Sequence, residues 1–232
     1  MRVRTLVLSA LLALIPLALS GCSTQPAAAT TTATSPPPPK VEAPPPPEPE
    51  PSQIELSGKG QTATKTFQLS TGLTVFVMGH GGSSNFAVFL LDGNGNKVDL
   101  LANVVGRYVG AVPVGVKAGS YLLDITADGN WKITILQPRA TTGRAIPASY
   151  QDKGPRALGP IQMDSGLARF TMKHDGESNF VVFLMNNKGQ KLELLANEIG
   201  AWSGSKAVRV PTRGVYWLSV EADGNWQIDI SK

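Results

Sequence analysis

Residues 121–135 read YLLDITADGNWKITI, and this stretch decides the predicted fold class of the chain. Apolar side chains occupy every second position before and after the dipeptide Asp128-Gly129. A period of two residues is typical of a β-strand with one buried face, and Asp-Gly between two such runs is typical of a hairpin turn. The stretch therefore predicts two strands that pair as a hairpin around residues 128–129.

The same pattern returns as YWLSVEADGNWQIDI at residues 216–230, so the chain contains an internal repeat. The segment HGGSSNF at 80–86 matches HDGESNF at 174–180, an offset of 94 residues. The offset rises to 95 after one inserted residue near Thr212. Self-similarity at one fixed offset is the signature of duplicated structural units.

This offset defines two units, at residues 53–138 and 147–232, joined by a short linker at 139–146. Each unit, of about 85 residues, is large enough to bury its own core, so we expect two domains and not a solenoid. Their strands are short and closely spaced, and no convincing helix interrupts them. The predicted fold class is all-β, with two tandem homologous β-sandwich domains that are jelly-roll-like.

Each unit closes with the motifs Gly-x-Tyr-x-Leu, from Gly119 and Gly214, and Ala-Asp-Gly-Asn-Trp-x-Ile, from Ala127 and Ala222. On these motifs the unit resembles small β-sandwich modules that recur on secreted bacterial proteins, of the pre-peptidase C-terminal type. The resemblance covers both units. It implies modules that accompany enzymes or attach proteins to surfaces, and that are not catalytic themselves.

The N-terminus has the pattern of a secretion signal. Arg2 and Arg4 precede an apolar run at residues 6–19, which is too short for a stable membrane-spanning helix. The segment Leu19-Ser20-Gly21-Cys22 that follows is similar to the lipobox of bacterial lipoproteins. The resemblance implies a signal peptide at residues 1–21, cleavage before Cys22, and a diacylglycerol on the Cys22 thiol. Because Cys22 is the only cysteine, the chain forms no intramolecular disulfide.

Residues 22–52 form the predicted stalk. After the cysteine, this segment consists mainly of Pro, Thr and Ala, so it has too few large apolar side chains to build a core. Its prolines favour an extended polyproline II conformation. We therefore expect a disordered spacer that holds the globular part away from the membrane. Ser23 follows the cysteine, and the sorting pattern that this resembles sends a lipoprotein to the outer membrane in a two-membrane envelope; otherwise the cell membrane is expected.

Charge and motifs exclude several classes of function. The formal net charge of +4 includes Arg2 and Arg4, and no basic stripe is interleaved with aromatic residues, so nucleic acid is not an expected partner. No Gly-x-Ser-x-Gly elbow, zinc-binding His-Glu-x-x-His helix or phosphate loop occurs. We expect a non-enzyme that needs no cofactor.

The two histidines, His80 and His174, occupy the same position in each unit and precede a glycine-containing loop. A histidine can bind a metal or accept a proton, but neither has a regular Cys or carboxylate neighbour in both units. The alternative is that each histidine, together with Asn85 or Asn179, ties down the loop through hydrogen bonds to its backbone. The six residues retained as ligand-binding candidates are these four, Tyr108 and Trp202.

Asp92, Asn94 and Asn96 have the spacing of the first ligands of a calcium-binding EF-hand loop. The match fails further on, because Lys97 stands where the loop requires glycine. The second unit has Asn186, Lys188 and Gln190 at the matching positions, which are poor calcium ligands. A hairpin turn without metal is therefore predicted at residues 92–96.

The tryptophans invite a comparison with sugar-binding platforms. Trp131 and Trp226 share a strand face with two isoleucines each, which predicts core positions. Trp217 alternates out of phase with its apolar neighbours, so we expect it to be exposed. Tyr108 and Trp202 correspond between the units and are the predicted sugar platform, if the protein has one.

Three functions remain open from the sequence. The first is a membrane-anchored envelope lipoprotein whose paired sandwiches bind another envelope protein or serve a structural role. The second is a module that binds carbohydrate or cell wall. The third is an enzyme of unrecognised type.

Overall fold

The computed structural model describes residues 49–232, and every regular element within that range is a β-strand. The predicted signal peptide, Cys22 and the stalk up to residue 48 lie outside the described residues. The first repeat contributes β1(Ile54–Lys59), β2(Thr62–Ala63), β3(Phe67–Leu69), β4(Gly72–His80), β5(Asn85–Asp92), β6(Lys97–Val105), β7(Tyr108–Val116), β8(Gly119–Thr126) and β9(Asn130–Leu136).

A short strand in the linker and eight strands in the second repeat complete the structure. They are β10(Arg144–Ala145), β11(Ala148–Lys153), β12(Arg156–Met163), β13(Gly166–His174), β14(Asn179–Asn186), β15(Lys191–Ile199), β16(Trp202–Val210), β17(Gly214–Glu221) and β18(Asn225–Ser231). Strands β11 to β18 correspond in order to the strands of the first repeat, with β2 and β3 together matching β12.

Each repeat is a sandwich of two antiparallel sheets, as the alternating pattern predicts. In the first repeat the sheet β1-β9-β4-β7 faces a second sheet in which β8 pairs with both β2 and β3 and continues to β5 and β6. The second repeat has the same order, β11-β18-β13-β16 against β12-β17-β14-β15, and β10 adds a parallel edge strand beside β12. This strand order in two facing sheets is a jelly roll, which confirms the predicted fold class.

The core of each sandwich lies between its two sheets. Phe76 and Phe86 are completely buried in the first repeat, and Phe170 and Phe180 take their places in the second. The inward faces are those that the period-two alternation predicts, because successive side chains on a strand point to opposite sides. Two tryptophans confirm this prediction on the last strand of each sandwich: Trp131 is 5% exposed and Trp226 is 3% exposed.

The prediction of a hairpin at Asp128-Gly129 is wrong. Strands β8 and β9 on either side of this turn belong to opposite sheets of the sandwich, so they do not pair with each other. The turn carries the chain across the edge of the core. A local Asp-Gly signal predicts that the chain turns, but it does not say which sheet the next strand joins.

The hairpin predicted at residues 92–96 is confirmed. Strands β5 and β6 pair in antiparallel fashion on either side of it. The Asp92 carboxylate accepts the backbone N–H groups of Asn94 and Asn96, both at 2.9 Å. A hydrogen bond from the Asn96 side chain has the largest effect on the pKa of Asp92. Together with the backbone hydrogen bonds it lowers this pKa below its usual range. The carboxylate therefore closes a turn, as Asp commonly does.

The two sandwiches pack against each other through the outer faces of two sheets. Leu73 and Val75 on β4 form one hydrophobic cluster with Met185, Val215 and Trp217 from the second repeat. The prediction that Trp217 is exposed is wrong, since only 6% of the residue is accessible. Its alternation places it on the outer face of β17, as predicted, but the first repeat covers that face.

Backbone contacts bring the two repeats close together. The Ala111 N–H donates to the Pro155 carbonyl oxygen at 3.1 Å. The turn between β14 and β15 rests on β7, where a Cβ on Gly115 would come within 2.6 Å of the Gly189 carbonyl oxygen. In the linker, the Ala140 carbonyl oxygen accepts the Asn187 amide at 2.7 Å. The two repeats therefore belong to one compact unit.

Candidate functional site

The histidine of the first repeat lies in a closed cage at one end of the sandwich. The His80 side chain has no exposed surface, and its Nδ1 lies 2.8 Å from the Gly106 carbonyl oxygen. Its ring stacks on Phe86 with 4.5 Å between centroids and 6° between planes. The other ring nitrogen, Nε2, lies 3.2 Å from Asp128 Oδ1, at an angle that makes no hydrogen bond.

The second repeat reproduces this cage. The His174 side chain is fully buried, with Nδ1 3.0 Å from the Gly200 carbonyl oxygen and Nε2 3.2 Å from Asp223 Oδ1. Its ring stacks on Phe180 at 4.8 Å. The Gly224 N–H also points to Nε2, at 3.3 Å.

The aspartates of the cages also hold the loop that follows each histidine. In the first repeat the N–H groups of Ser83 and Ser84 donate to Asp128 Oδ2, both at 3.0 Å. The first of these hydrogen bonds is the main cause that lowers the pKa of Asp128. A Cβ on Gly82 would clash with both Asp128 and His80, so the loop needs glycine there.

In the second repeat the N–H groups of Glu177 and Ser178 donate to Asp223 Oδ2 at 2.9 and 3.0 Å. Desolvation raises the pKa of Asp223, but these hydrogen bonds outweigh it, and the pKa lies below the usual range. The cage thus joins three segments: the loop after the histidine, the turn that carries the aspartate, and the turn that carries Gly200. Apart from Nε2 of His80, which makes no hydrogen bond, the ring nitrogens of the two histidines have partners within the protein, which is the arrangement of a structural clamp.

Asn85 and Asn179, predicted to tie down these loops, do not take part in the clamp. Asn85 and Asn179 are exposed at the starts of β5 and β14, and the aspartates hold the loop backbone instead. The sequence carried a signal for them, because the Ala-Asp-Gly motif recurs in both repeats together with the histidine. Sequence reasoning did not connect the two, since Asp128 lies far from His80 along the chain.

The aromatic residues predicted as a sugar platform have different surroundings. Tyr108 is 7% exposed, and its ring packs 5.6 Å from Phe86. Burial raises the pKa of Tyr108 to about 12. Trp202 is half-buried and packs 6.1 Å from Phe180. Tyr108 faces the core and lines a cavity of about 540 Å³ between the repeats, whereas Trp202 lines an open groove on the second repeat.

That groove lies on the second repeat, over the ends of four strands of the sheet β11-β18-β13-β16. Its volume is about 940 Å³. The side chains along it are mostly polar, with amide, ammonium, hydroxyl and carboxylate groups. The residues that line it are Gln151, Asp152, Lys153, Lys173, His174, Asp175, Ala201, Trp202, Ser203, Asn225, Trp226 and Gln227.

The groove holds some of its own polar groups in place. Asp175 accepts both the backbone N–H of Asn225 at 2.6 Å and its side-chain amide at 2.8 Å. Both hydrogen bonds lower the pKa of Asp175, and the one from the side chain has the larger effect. Asp152 forms an ion pair with Arg156 at 2.7 Å, and that hydrogen bond likewise lowers the pKa of Asp152. The Gln227 amide nitrogen donates to Asp229 at 2.8 Å, which leaves its oxygen and its second N–H for a ligand, together with the Gln151 amide and the ammonium groups of Lys153 and Lys173.

The first repeat differs from the second at the groove positions. Where the second repeat has Lys173 and Asp175, the first has Gly79 and Gly81. Where the second repeat has Gln151 and Ser203, the first has Ser57 and Val109. The cage residues, by contrast, are the same in both repeats. Lys153 and Asn225 in the groove also have identical counterparts, Lys59 and Asn130, so only part of the groove surface is particular to the second repeat.

Between residues 49 and 232, no three His, Cys, Asp or Glu side chains lie close enough together to hold a metal ion. Nor do these residues form an apolar helix of membrane-spanning length.

Comparison with known proteins adds no family. No family model matches the sequence, and no curated protein matches it either. Among solved structures, a conserved protein of unknown function from Pseudomonas aeruginosa PAO1 is 12% identical with a TM-score of 0.24, covering 78% of this chain and 79% of its own.

Two further solved structures resemble the chain distantly. The PBSX exported protein XepA is 9% identical with a TM-score of 0.27, covering 79% of this chain and 86% of its own. A cupin 2 conserved barrel domain protein from Leptotrichia buccalis is 13% identical with a TM-score of 0.24, covering 79% and 89%. These likenesses carry no inference about activity.

Proposed function

We propose that this chain is a lipid-anchored protein of the bacterial cell envelope that binds an envelope glycan without catalysis. The lipobox-like segment Leu19-Ser20-Gly21-Cys22 supports the anchor, and the proline-rich residues that follow support a spacer. The two sandwiches form one compact unit, which supports a single globular part at the end of that spacer. The groove over Trp202 is the observation that carries the binding role.

The chemistry of the groove favours a hydroxyl-rich ligand. Glutamine and lysine side chains donate hydrogen bonds to sugar hydroxyls, and an indole edge offers an apolar contact beside them. The groove is open along the strand ends, so a chain of sugars fits it better than a compact small molecule. In the cages, both histidines are buried against structural partners, which supports a binding protein over an enzyme.

The anchor is tested by Cys22→Ser in the full-length precursor, expressed in a bacterial host. We expect the unchanged protein to enter the detergent phase of a membrane extract and the variant to be lost from it. Ser23→Ala is the matched control and should keep the protein in the detergent phase. An unchanged partition of Cys22→Ser would contradict lipid attachment at this residue.

The groove is tested with purified cell-wall glycans as the probe. The double variant Gln151→Ala/Gln227→Ala should weaken binding about tenfold or more, since it removes two hydrogen-bonding amides. The matched control is Ser57→Ala/Lys132→Ala, which changes the equivalent positions of the first repeat. Equal affinities for the two double variants, or no glycan binding at millimolar concentration, would contradict the proposal.

A further inference from the structure

The contact between the two repeats is a head-to-tail contact. The outer face of β4 and β7 in the first repeat covers the outer face of β14 and β17 in the second. Each repeat has both kinds of face, so the first repeat keeps an uncovered copy of the second face, on β5 and β8. A head-to-tail contact can be repeated by further copies unless something stops it.

The uncovered face on the first repeat has kept its apolar residues. Phe89 corresponds to Phe183, Leu91 to Met185 and Leu122 to Trp217. All three side chains on the first repeat remain partly accessible, whereas Met185 and Trp217 are buried by the contact. Next to them, Val98 and Leu100 are each 44% exposed on β6. These apolar side chains mark an interaction face, on which Asp124, the equivalent of Ser219, lies beside Phe89 and the Lys97 ammonium lies 4.0 Å from the centre of the Phe89 ring.

The turn that makes the closest contact is also present twice. In the second repeat, Gly189 rests on Gly115 of the first, backbone against backbone. Gly95 is the equivalent of Gly189 and has the same left-handed backbone, with φ of 84° against 79°. A Cβ on Gly95 would meet no atom within 4 Å, so this turn is free to receive a partner.

On the second repeat, the outer face of β13 and β16 corresponds to that of β4 and β7, but its side chains differ. In the first repeat Leu73 pairs with Gly115, while the equivalent pair in the second is Leu167 with Arg209. Likewise Val75 is replaced by Arg169, which is exposed. A guanidinium at the position of Gly115 fills the space that the turn needs, and docking an apolar face there would remove two charges from water.

We propose that the outer face of β5 and β8 binds a β-sheet face of the kind that β4 and β7 present, carried by another envelope protein. Arg169 and Arg209 keep copies of this chain from occupying that face themselves. The partner therefore presents a β-sheet with aliphatic side chains. It has a glycine where the turn of residues 92–96 contacts it. The contact between the first repeat and the outer face of β14 and β17 shows the geometry that we expect for this interaction.

The proposal is tested by restoring the missing face on the second repeat of the full chain. In detergent, sedimentation equilibrium should show a monomer for the unchanged protein over a micromolar range. Arg169→Val/Arg209→Gly should instead associate, with the average protein mass rising about twofold or more as concentration increases. Loss of two exposed charges elsewhere, by Lys117→Val/Arg213→Gly, is the control and should leave a monomer.

A third variant locates the contact. Adding Leu122→Asp to Arg169→Val/Arg209→Gly should return the protein to a monomer, because a carboxylate would lie in the middle of the docking face. If Arg169→Val/Arg209→Gly stays monomeric with an unchanged circular dichroism spectrum, the proposal is overturned. Association that survives Leu122→Asp overturns it as well. If the double variant does not fold, Arg209→Gly alone replaces it in the same sedimentation experiment and should also associate.

Discussion

Asp128 Oδ1 lies 3.2 Å from His80 Nε2, while the other carboxylate oxygen accepts the backbone of the loop between β4 and β5. Asp223 and His174 repeat this relationship at the same distance. One carboxylate thus joins a buried ring to a loop and to the turn that carries the chain between sheets. The two histidines and their aspartates therefore stabilise the fold, and the proposed binding role rests on the groove of the second repeat.

His174→Ala should destabilise the protein by about 2–4 kcal/mol, because it leaves a cavity beside Phe180 and removes the donor to the Gly200 carbonyl oxygen. Urea denaturation measures this change. The control is Lys173→Ala, an exposed neighbour, which should change stability by about 0.5 kcal/mol or less. A loss below about 1 kcal/mol for His174→Ala would argue against the clamp.

Stability should fall in acid through Asp128 and Asp223, whose pKa values are lowered in the folded state. The stabilisation is fully present above the unfolded pKa of about 3.9 and is lost as pH falls through the lower folded value. Urea midpoints measured from neutral pH downward should therefore drop below about pH 5. In Asp128→Asn/Asp223→Asn this drop should be shallower, and an unchanged acid limb would contradict the prediction.

Trp217→Ala should cost about 3–5 kcal/mol, since it empties the centre of the contact between the repeats. Leu122→Ala is the matched control, because it changes the equivalent position on the uncovered face, and it should cost about 1 kcal/mol. Calorimetry should also resolve two transitions in Trp217→Ala and a single transition in the unchanged protein. Equal costs for the two variants would show that the contact contributes little.

Gly115→Ala should destabilise the contact by about 1–3 kcal/mol, because the new Cβ would press against the Gly189 backbone. Backbone atoms do not swing aside as a flexible side chain does, so the two repeats have to move apart. Gly79→Ala is the control, as its Cβ would meet only the Tyr108 carbonyl oxygen at 3.9 Å. Thermal unfolding distinguishes them, and equal melting temperatures would contradict the close contact.

The strand faces could be predicted from sequence because alternation reports burial directly. Trp131 and Trp226 lie in the core on the faces that their isoleucine neighbours indicate. Alternation does not report what covers the other face, which is why Trp217 was expected to be exposed. A neighbouring domain, and not the strand itself, decides its burial.

Long-range partners were the part that sequence reasoning missed. Asp128-Gly129 has the local signature of a hairpin, yet its strands belong to different sheets and its carboxylate serves His80. Such contacts depend on how strands are ordered across the sandwich, which turn residues do not encode. The groove was missed for the same reason, since Gln151 and Gln227 lie far apart in sequence and meet only where β11 pairs with β18.

The indole N–H signals of the four tryptophans test the central claim most directly, because each indole has distinct surroundings. Titration of the protein with cell-wall glycan, followed by nuclear magnetic resonance, should shift the Trp202 signal, identified by its loss in Trp202→Phe. The signals of Trp131 and Trp217, which are buried and do not line the groove, should stay in place. An unmoved Trp202 signal at saturating glycan would contradict glycan binding in the groove.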